Sequence, residues 1–192
     1  MSALSRLTLP KYLDYTERGI FAQAFWIAFF AAATAVGARI EVPHHPVPFT
    51  LQTLSVLLSG ALLGSRSGAL SQLVYIGVGL LGAPVFAGGA FGFAVLLGPT
   101  GGYLLGFPVA AAVVGYLVHK RRGLPWSFVS MAGGLLVVFI CGTLYLYATA
   151  LHDFGDAVVA GFLIFTLWDL MKLSAAAMIY NELSKRWPRV PR

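Results

Sequence analysis

From Trp126 to Leu151 the chain runs without one charged side chain. That exceeds the roughly 20 apolar residues a helix needs to cross a bilayer. It is the fifth of six apolar segments. The others run from Ile20 to Arg39, Thr50 to Gly64, Gly68 to Ala83, Thr100 to His119 and Ala157 to Asn181. Only 10% of the 192 residues are charged and 58% are hydrophobic, whereas a soluble domain carries about a quarter charged residues. With a mean hydropathy of +0.81, the chain is expected to be an all-α integral membrane protein. The expected fold is a six-transmembrane-helix bundle forming a single domain over residues 20–192, preceded by a cytoplasmic amphipathic segment over residues 1–19. Segments two and three fall short of the usual span and are expected to tilt, bend or shelter behind their neighbours.

Charge placement orients the bundle. Arg6, Lys11 and Arg18 precede segment one, and Arg66 separates two from three. Lys120, Arg121 and Arg122 separate four from five, and Lys185, Arg186, Arg189 and Arg192 follow six. The opposite loops, 41–49, 84–99 and 152–156, hold no Lys or Arg. The positive-inside rule then predicts both termini in the cytoplasm, in a multi-pass protein of the cell's inner (plasma) membrane. The net charge of +6 is a topology signal and does not point to nucleic acid. Arg6, Lys11 and Arg18 are expected near lipid headgroups. The first apolar run continues too far for a cleaved signal peptide and lacks a typical cleavage site. Segments two, four and six begin on the outer side, so their positive helix ends favour an anionic or strongly accepting ligand there.

Several function classes fall away. No GxxxxGK[ST] string occurs, so ATP hydrolysis by this chain is not expected. Cys141 is the single cysteine, which excludes an intrachain disulfide and suits a small packing residue. An intramembrane hydrolase or transferase would need a nucleophile and a base at one depth. Ser130, Ser174 and Cys141 share no helical face with a histidine, because all four histidines lie in loops or at a helix end.

The polar exceptions are informative. In Phe165-Thr-Leu-Trp-Asp-Leu-Met-Lys172 a carboxylate and an ammonium sit three residues apart within an apolar run. On a helix that spacing puts Asp169 and Lys172 on one face, and charges inside a membrane normally face protein, ligand or water. A structural ion pair and a ligand site both satisfy this. Trp168 is expected to add a flat apolar surface beside the charges, with Tyr145 and Tyr147 reaching the same space. Ahead of segment two, prolines stiffen the loop Glu41-Val-Pro-His-His-Pro-Val-Pro-Phe49. Thr50 is placed to N-cap the second helix, and Gln52 can offer donor and acceptor to a ligand or bond backbone only. Glu41, His44 and His45 have metal-site residue types but no diagnostic spacing, and a solvated loop is the expectation. The uncharged loop Gly82–Phe93 is rich in glycine and aromatics, suiting it to fold over a pocket. It leads into Gly98-Pro-Thr-Gly-Gly-Tyr103, where Pro99 suits a first helical turn and Gly101 and Gly102 admit close approach, whether by a ligand or a packed helix. Ala24, Ala28 and Ala32 give segment one a small-residue face, for packing within the bundle or against another protein. Gly60, Gly64 and Gly68 form a second such series, expected to be internal.

Together, Val47-Pro-Phe-Thr-Leu-Gln-Thr-Leu54, Gly60-Ala-Leu-Leu-Gly64, Pro84-Val-Phe-Ala-Gly-Gly89, Leu97-Gly-Pro-Thr-Gly-Gly-Tyr-Leu104, Gly142-Thr-Leu144 and Asp169-x-x-Lys172 resemble the BioY family. The resemblance covers nearly all of Ala28–Lys172 in order. It implies the substrate-binding S component of a biotin transporter of the energy-coupling factor type, with an outward-facing biotin site. Partners implied are a transmembrane coupling protein and two cytoplasmic ATPase subunits, met through Ala28 and Ala32. The site residues implied are Thr50, Gln52, Phe86, Gly88, Thr100, Gly101, Tyr103, Tyr145, Asp169 and Lys172, with biotin as ligand and no cofactor or metal. An S component of this fold for thiamine or riboflavin is the alternative. Where the family often has Pro-Gly before the aspartate, this chain has Leu167-Trp168, so the local backbone there is expected to differ.

Overall fold

A computed structural model describes residues 20–163 and 166–186. The amphipathic segment expected over 1–19 lies outside the described residues, as do Phe165, Arg189 and Arg192. Among the described residues the chain forms seven α-helices: α1 (Ile20–Arg39), α2 (Gln52–Leu80), α3 (Phe93–Leu97), α4 (Gly101–Lys120), α5 (Leu124–Leu146), α6 (Phe154–Gly161) and α7 (Thr166–Arg186). The one addition to an all-helical fold is a two-residue antiparallel ladder, β1 (Glu41–Val42) with β2 (Phe49–Thr50), which pairs Glu41 with Thr50 and Val42 with Phe49. Three helical stretches are long and apolar enough to cross a membrane: Phe21–Arg39, Gly101–Lys120 and Leu124–Leu151, the last extending α5 through a π turn at Tyr147–Leu151.

The two short apolar segments form the two arms of α2. At Gly64 the backbone turns to φ 81°, ψ 176°, a conformation that favours glycine. Along a straight helix Gly60 and Gly68 would stand about 12 Å apart. Instead a Cβ on Gly68 would lie 2.7 Å from the Gly60 Cα. Gln72 Nε2 donates to Ser59 Oγ at 3.1 Å, and Gln52 Nε2 reaches the Tyr75 hydroxyl at 2.6 Å. The arms 52–63 and 65–80 therefore run antiparallel, and the Gly60/Gly64/Gly68 series is internal, as its spacing predicts. Segment six also differs from one continuous helix. It breaks after Gly161, and Phe162 takes φ −123°, ψ −57°, so α6 and α7 are separate. Asp153 Oδ1 accepts the Asp156 N–H at 2.9 Å and caps α6.

The core lies where the first arm of α2 meets α4 and α5. Val56, Leu57, Ala110, Ala111, Val114 and Met131 are wholly enclosed. Small residues permit this approach: Gly60 rests against the Ala111 backbone, the contact that holds helices together in lipid. α1 packs on α2 through Ile27, Phe30 and Leu63, aided by Gln23 Nε2 to Ser67 Oγ at 3.0 Å and Thr34 Oγ1 to Gln72 Oε1 at 3.2 Å. Ala24, Ala28 and Ala32 are exposed on the opposite side of α1, beside exposed Phe21, Phe25 and Phe29. Among the described residues nothing packs on that face, which favours the second of its two readings, contact with another protein.

Replacing Gly60 with Leu would drive a side chain into the Ala111 backbone, and overpacking of this kind costs about 1–3 kcal/mol. Gly77 has nothing within 4 Å of an added Cβ. Thermal unfolding in detergent is expected to show a clearly lowered midpoint for Gly60→Leu and none for Gly77→Ala. A wild-type midpoint in Gly60→Leu would contradict the close approach.

Candidate ligand-binding cavity

The break between α6 and α7 changes the setting of the charged pair. Asp169 falls in the first turn of α7 and not in mid-helix, where the helix dipole favours a carboxylate. Asp169 is 1% exposed and Lys172 8%. Lys172 Nζ lies 2.5 Å from Asp169 Oδ1 and donates to the Thr50 carbonyl at 2.9 Å. Thr53 Oγ1 donates to the same Oδ1 at 3.4 Å. Oδ2 of Asp169 has no hydrogen-bond partner among the described residues. A buried carboxylate oxygen left without a donor is costly, so it is a waiting acceptor for an N–H or O–H group.

Asp169 and Lys172 line a cavity of about 670 Å³, within the range of small-molecule sites. Its wall comes from the β1–β2 hairpin, the start of α2, the loop 86–91, the α3–α4 segment, α5 and the start of α7. The expected external loops 41–49 and 84–99 thus both contribute, whereas 152–156 supplies no wall residue. The surface is mainly apolar, with Val47, Leu104, Phe107, Val138 and Phe139 among its members.

Eight of the sequence-derived candidates meet on this wall: Thr50, Gln52, Phe86, Gly88, Thr100, Tyr103, Asp169 and Lys172. Gly101 and Tyr145 do not. A Cβ on Gly101 would strike the Leu96 carbonyl, and the Gly101 N–H is taken by Gly98 O at 3.0 Å. Tyr145 donates its hydroxyl to Leu96 O at 2.7 Å. Both residues brace α3 from behind, and α3 presents Ala94 and Val95 to the cavity. Gly102 abuts Tyr145 and the Cys141 carbonyl, so its close approach serves helix packing.

Other expectations shift as well. Leu51 and not Thr50 holds the N-cap position of α2, and the Thr50 hydroxyl still accepts the N–H of Gln52, the first residue of the helix, at 3.4 Å. Thr50 sits in β2, offers its carbonyl to Lys172, and donates its hydroxyl to Gln52 Oε1 at 2.8 Å. Pro99 precedes the α4 cap, Thr100, and lies outside the helix. Trp168 is 53% exposed and off the cavity wall. Tyr147, in the π turn, packs edge-on to Phe154 at 5.8 Å, also off the wall.

The loop 41–49 is built into the site. Glu41 Oε2 accepts the Gly88 N–H at 2.9 Å, and His44 lies on the wall with its ring 5.2 Å from that of Phe49. Arg39 donates to the Pro84 carbonyl. Among the described residues no three His, Cys, Asp or Glu side chains gather.

Thr53, Phe107, Phe139 and the buried Tyr75 were not picked out from sequence. Phe107 follows Tyr103 by four residues and so shares its helix face, a signal that spacing carries. The approach of Thr53 to Asp169 depends on tertiary packing and leaves no local mark.

A membrane-embedded helical bundle with one end hollowed around a buried ion pair is the anatomy of a membrane protein that holds a small solute. The BioY family model matches residues 11–189, and the chain belongs to the BioY family. The biotin transporter BioY of Thermotoga maritima is 42% identical over 156 residues, covering 81% of this chain and 92% of its own length. The probable biotin transporter BioY of Pyrococcus horikoshii is 41% identical, covering 82% and 93%. The crystal structure of an S-component for biotin from an ECF-type ABC transporter superposes with a TM-score of 0.78 at 24% identity, covering 86% of this chain and 92% of that one. At that identity the match establishes a shared fold.

Removing one partner of the buried pair leaves an uncompensated charge, which costs about 3–5 kcal/mol. Asp169→Ala is expected to lower the unfolding midpoint of the ligand-free protein sharply. The double variant Asp169→Leu/Lys172→Met is expected to recover most of that loss. A double variant no more stable than Asp169→Ala would contradict a pair whose charges balance each other.

Proposed function

We propose that this chain is the biotin-binding S component of a biotin uptake transporter and takes biotin from the outer face. The observation that carries this reading is the buried Asp169 Oδ2, without a donor among the described residues, on the wall of an apolar cavity. Biotin has two ureido N–H donors, one ureido carbonyl, an apolar thioether ring and a carboxylate on a flexible chain. Asp169 takes the ureido donors, and Lys172 donates to the ureido carbonyl while neutralising Asp169. Phe86, Tyr103, Phe107 and Phe139 cover the ring and chain. The ligand carboxylate points toward Thr100 at the start of α4, where the helix dipole favours an anion. Thr50, Gln52 and Gly88 complete the site, and Gly101 and Tyr145 support it from behind. Membership of the BioY family, and the two BioY relatives named as a biotin transporter and a probable biotin transporter, support this reading.

In the same proposal the chain crosses the inner (plasma) membrane six times, the two α2 arms and α7 adding to the three long spans. Both termini are cytoplasmic, following the placement of the basic residues. The energy source is a separate module of one transmembrane coupling protein and two cytoplasmic ATPase subunits. It docks on the exposed face of α1 that carries Ala28 and Ala32.

A tight ligand raises stability by mass action, by about 2.7 kcal/mol at one hundred times its dissociation constant. Biotin is expected to raise the unfolding midpoint of the purified protein while thiamine and riboflavin leave it unchanged. A shift with either of those vitamins and none with biotin would overturn the substrate. Asp169→Asn is expected to nearly abolish biotin binding in equilibrium titration, and wild-type affinity would remove Asp169 from its role. In liposomes, labelled biotin uptake is expected to require the ATPase module, and uptake by this chain alone would contradict a pure binding subunit.

A further inference from the structure

The cavity has a cover, and the cover is wired to the charged pair. The loop 84–90 carries Phe86, 1% exposed, whose ring lies so close over Gly79 that no Cβ would fit there. Three side chains from outside the loop hold its backbone: Arg39 on the Pro84 carbonyl, Glu41 on the Gly88 N–H and Tyr75 on the Val85 carbonyl at 3.2 Å. The first two are at the surface. Tyr75 is different: it is 1% exposed and lies off the cavity wall.

Its hydroxyl makes two bonds of opposite sense. It donates to Val85 O and accepts from Gln52 Nε2 at 2.6 Å. Gln52 Oε1 in turn accepts from the Thr50 hydroxyl at 2.8 Å. The amide of Gln52 therefore has one orientation, oxygen toward Thr50 and nitrogen toward Tyr75. The Thr50 carbonyl holds Lys172. The Tyr75 ring meets Phe86 edge-on, with centroids 5.5 Å apart and planes at 89°, a favourable aromatic arrangement. One buried hydroxyl thus touches both a polar wall residue and the backbone of the cover.

We propose that Tyr75 is a positioning residue of the binding site: it fixes the Gln52 amide and ties the cover loop 84–90 to the floor that carries Lys172 and Asp169. Resting on the biotin reading above, Tyr75 sets how long the ligand is retained while never touching it. Tyr75→Phe keeps the ring against Phe86 and removes the hydroxyl alone. The Gln52 nitrogen then loses its acceptor and the Val85 carbonyl its donor, so the cover opens more often and the amide is no longer aimed.

The test combines two measurements on full-length protein in detergent, for wild type and Tyr75→Phe. The first is the release rate of bound biotin by stopped flow, expected to rise about tenfold, the equivalent of one lost hydrogen bond. The second is hydrogen exchange of the ligand-free protein. Amides of residues 85–90 are expected to exchange about tenfold faster while those of α4 and α5 keep their wild-type rates. Unchanged release and unchanged exchange over 85–90 would overturn the proposal. So would faster exchange throughout α4 and α5 with a lowered unfolding midpoint, because Tyr75 would then be a fold-supporting residue only. If wild-type protein holds no biotin, the substrate assignment fails by itself. The exchange pattern over 85–90 still decides whether Tyr75 ties the cover to the floor.

Discussion

A carboxylate and an ammonium 2.5 Å apart, both nearly sealed from solvent, set the terms for the rest of this molecule. Moving either ion out of water costs several kcal/mol even after the protein relaxes. Several separate parts of the chain offset that cost. The break after Gly161 gives α7 its own N-terminus near Asp169, and Thr53 on α2 donates to the carboxylate. The strand residue Thr50 turns its carbonyl to Lys172. One carboxylate oxygen is still without a donor among the described residues. An apolar pair would pack there without that cost, so the incomplete satisfaction points to a ligand and away from a purely structural role.

The hairpin at Gly64 makes this arrangement reachable. Folding α2 back on itself sets Gln52 beside Tyr75 and places the start of the first arm next to α7. The polar groups between the arms and α1, Thr34, Ser59, Ser71 and Gln72, are buried and joined by hydrogen bonds. In a membrane interior these replace the water that the groups cannot reach. The cavity end is finished by loops, and three side chains from elsewhere, Arg39, Glu41 and Tyr75, hold the backbone of the loop 84–90.

The helical architecture was legible because apolar length is a strong signal in lipid, and the two short segments were marked as abnormal for a good reason. Their reversal without a connecting loop was not legible, because it depends on the backbone conformation of Gly64. Four cavity residues stood out by chemical exception, the charges at 169 and 172 and Thr50 and Gln52 after a proline-rich loop, whereas Phe86, Gly88, Thr100 and Tyr103 were named through the resemblance to the BioY family. Tyr145 and Gly101 looked equally suitable, yet both face Leu96. Sequence spacing gives the face of a helix but not its neighbour. Trp168 sat beside the key aspartate and points away for the same periodic reason, since adjacent residues on a helix do not share a face. Tyr75 was passed over because a tyrosine in an apolar helix reads as core until its two partners, Gln52 on the other arm of α2 and Val85 in the following loop, are known.

The central claim is that the Asp169–Lys172 pair reads the ureido group of biotin through hydrogen bonds. Calorimetric titration of the purified protein with biotin and with a derivative methylated on the ureido nitrogens tests it directly. A site built to accept those N–H donors rejects an analogue lacking them strongly, so the methylated compound is predicted to bind roughly a hundredfold or more weaker. Equal affinity for the two compounds would contradict the account.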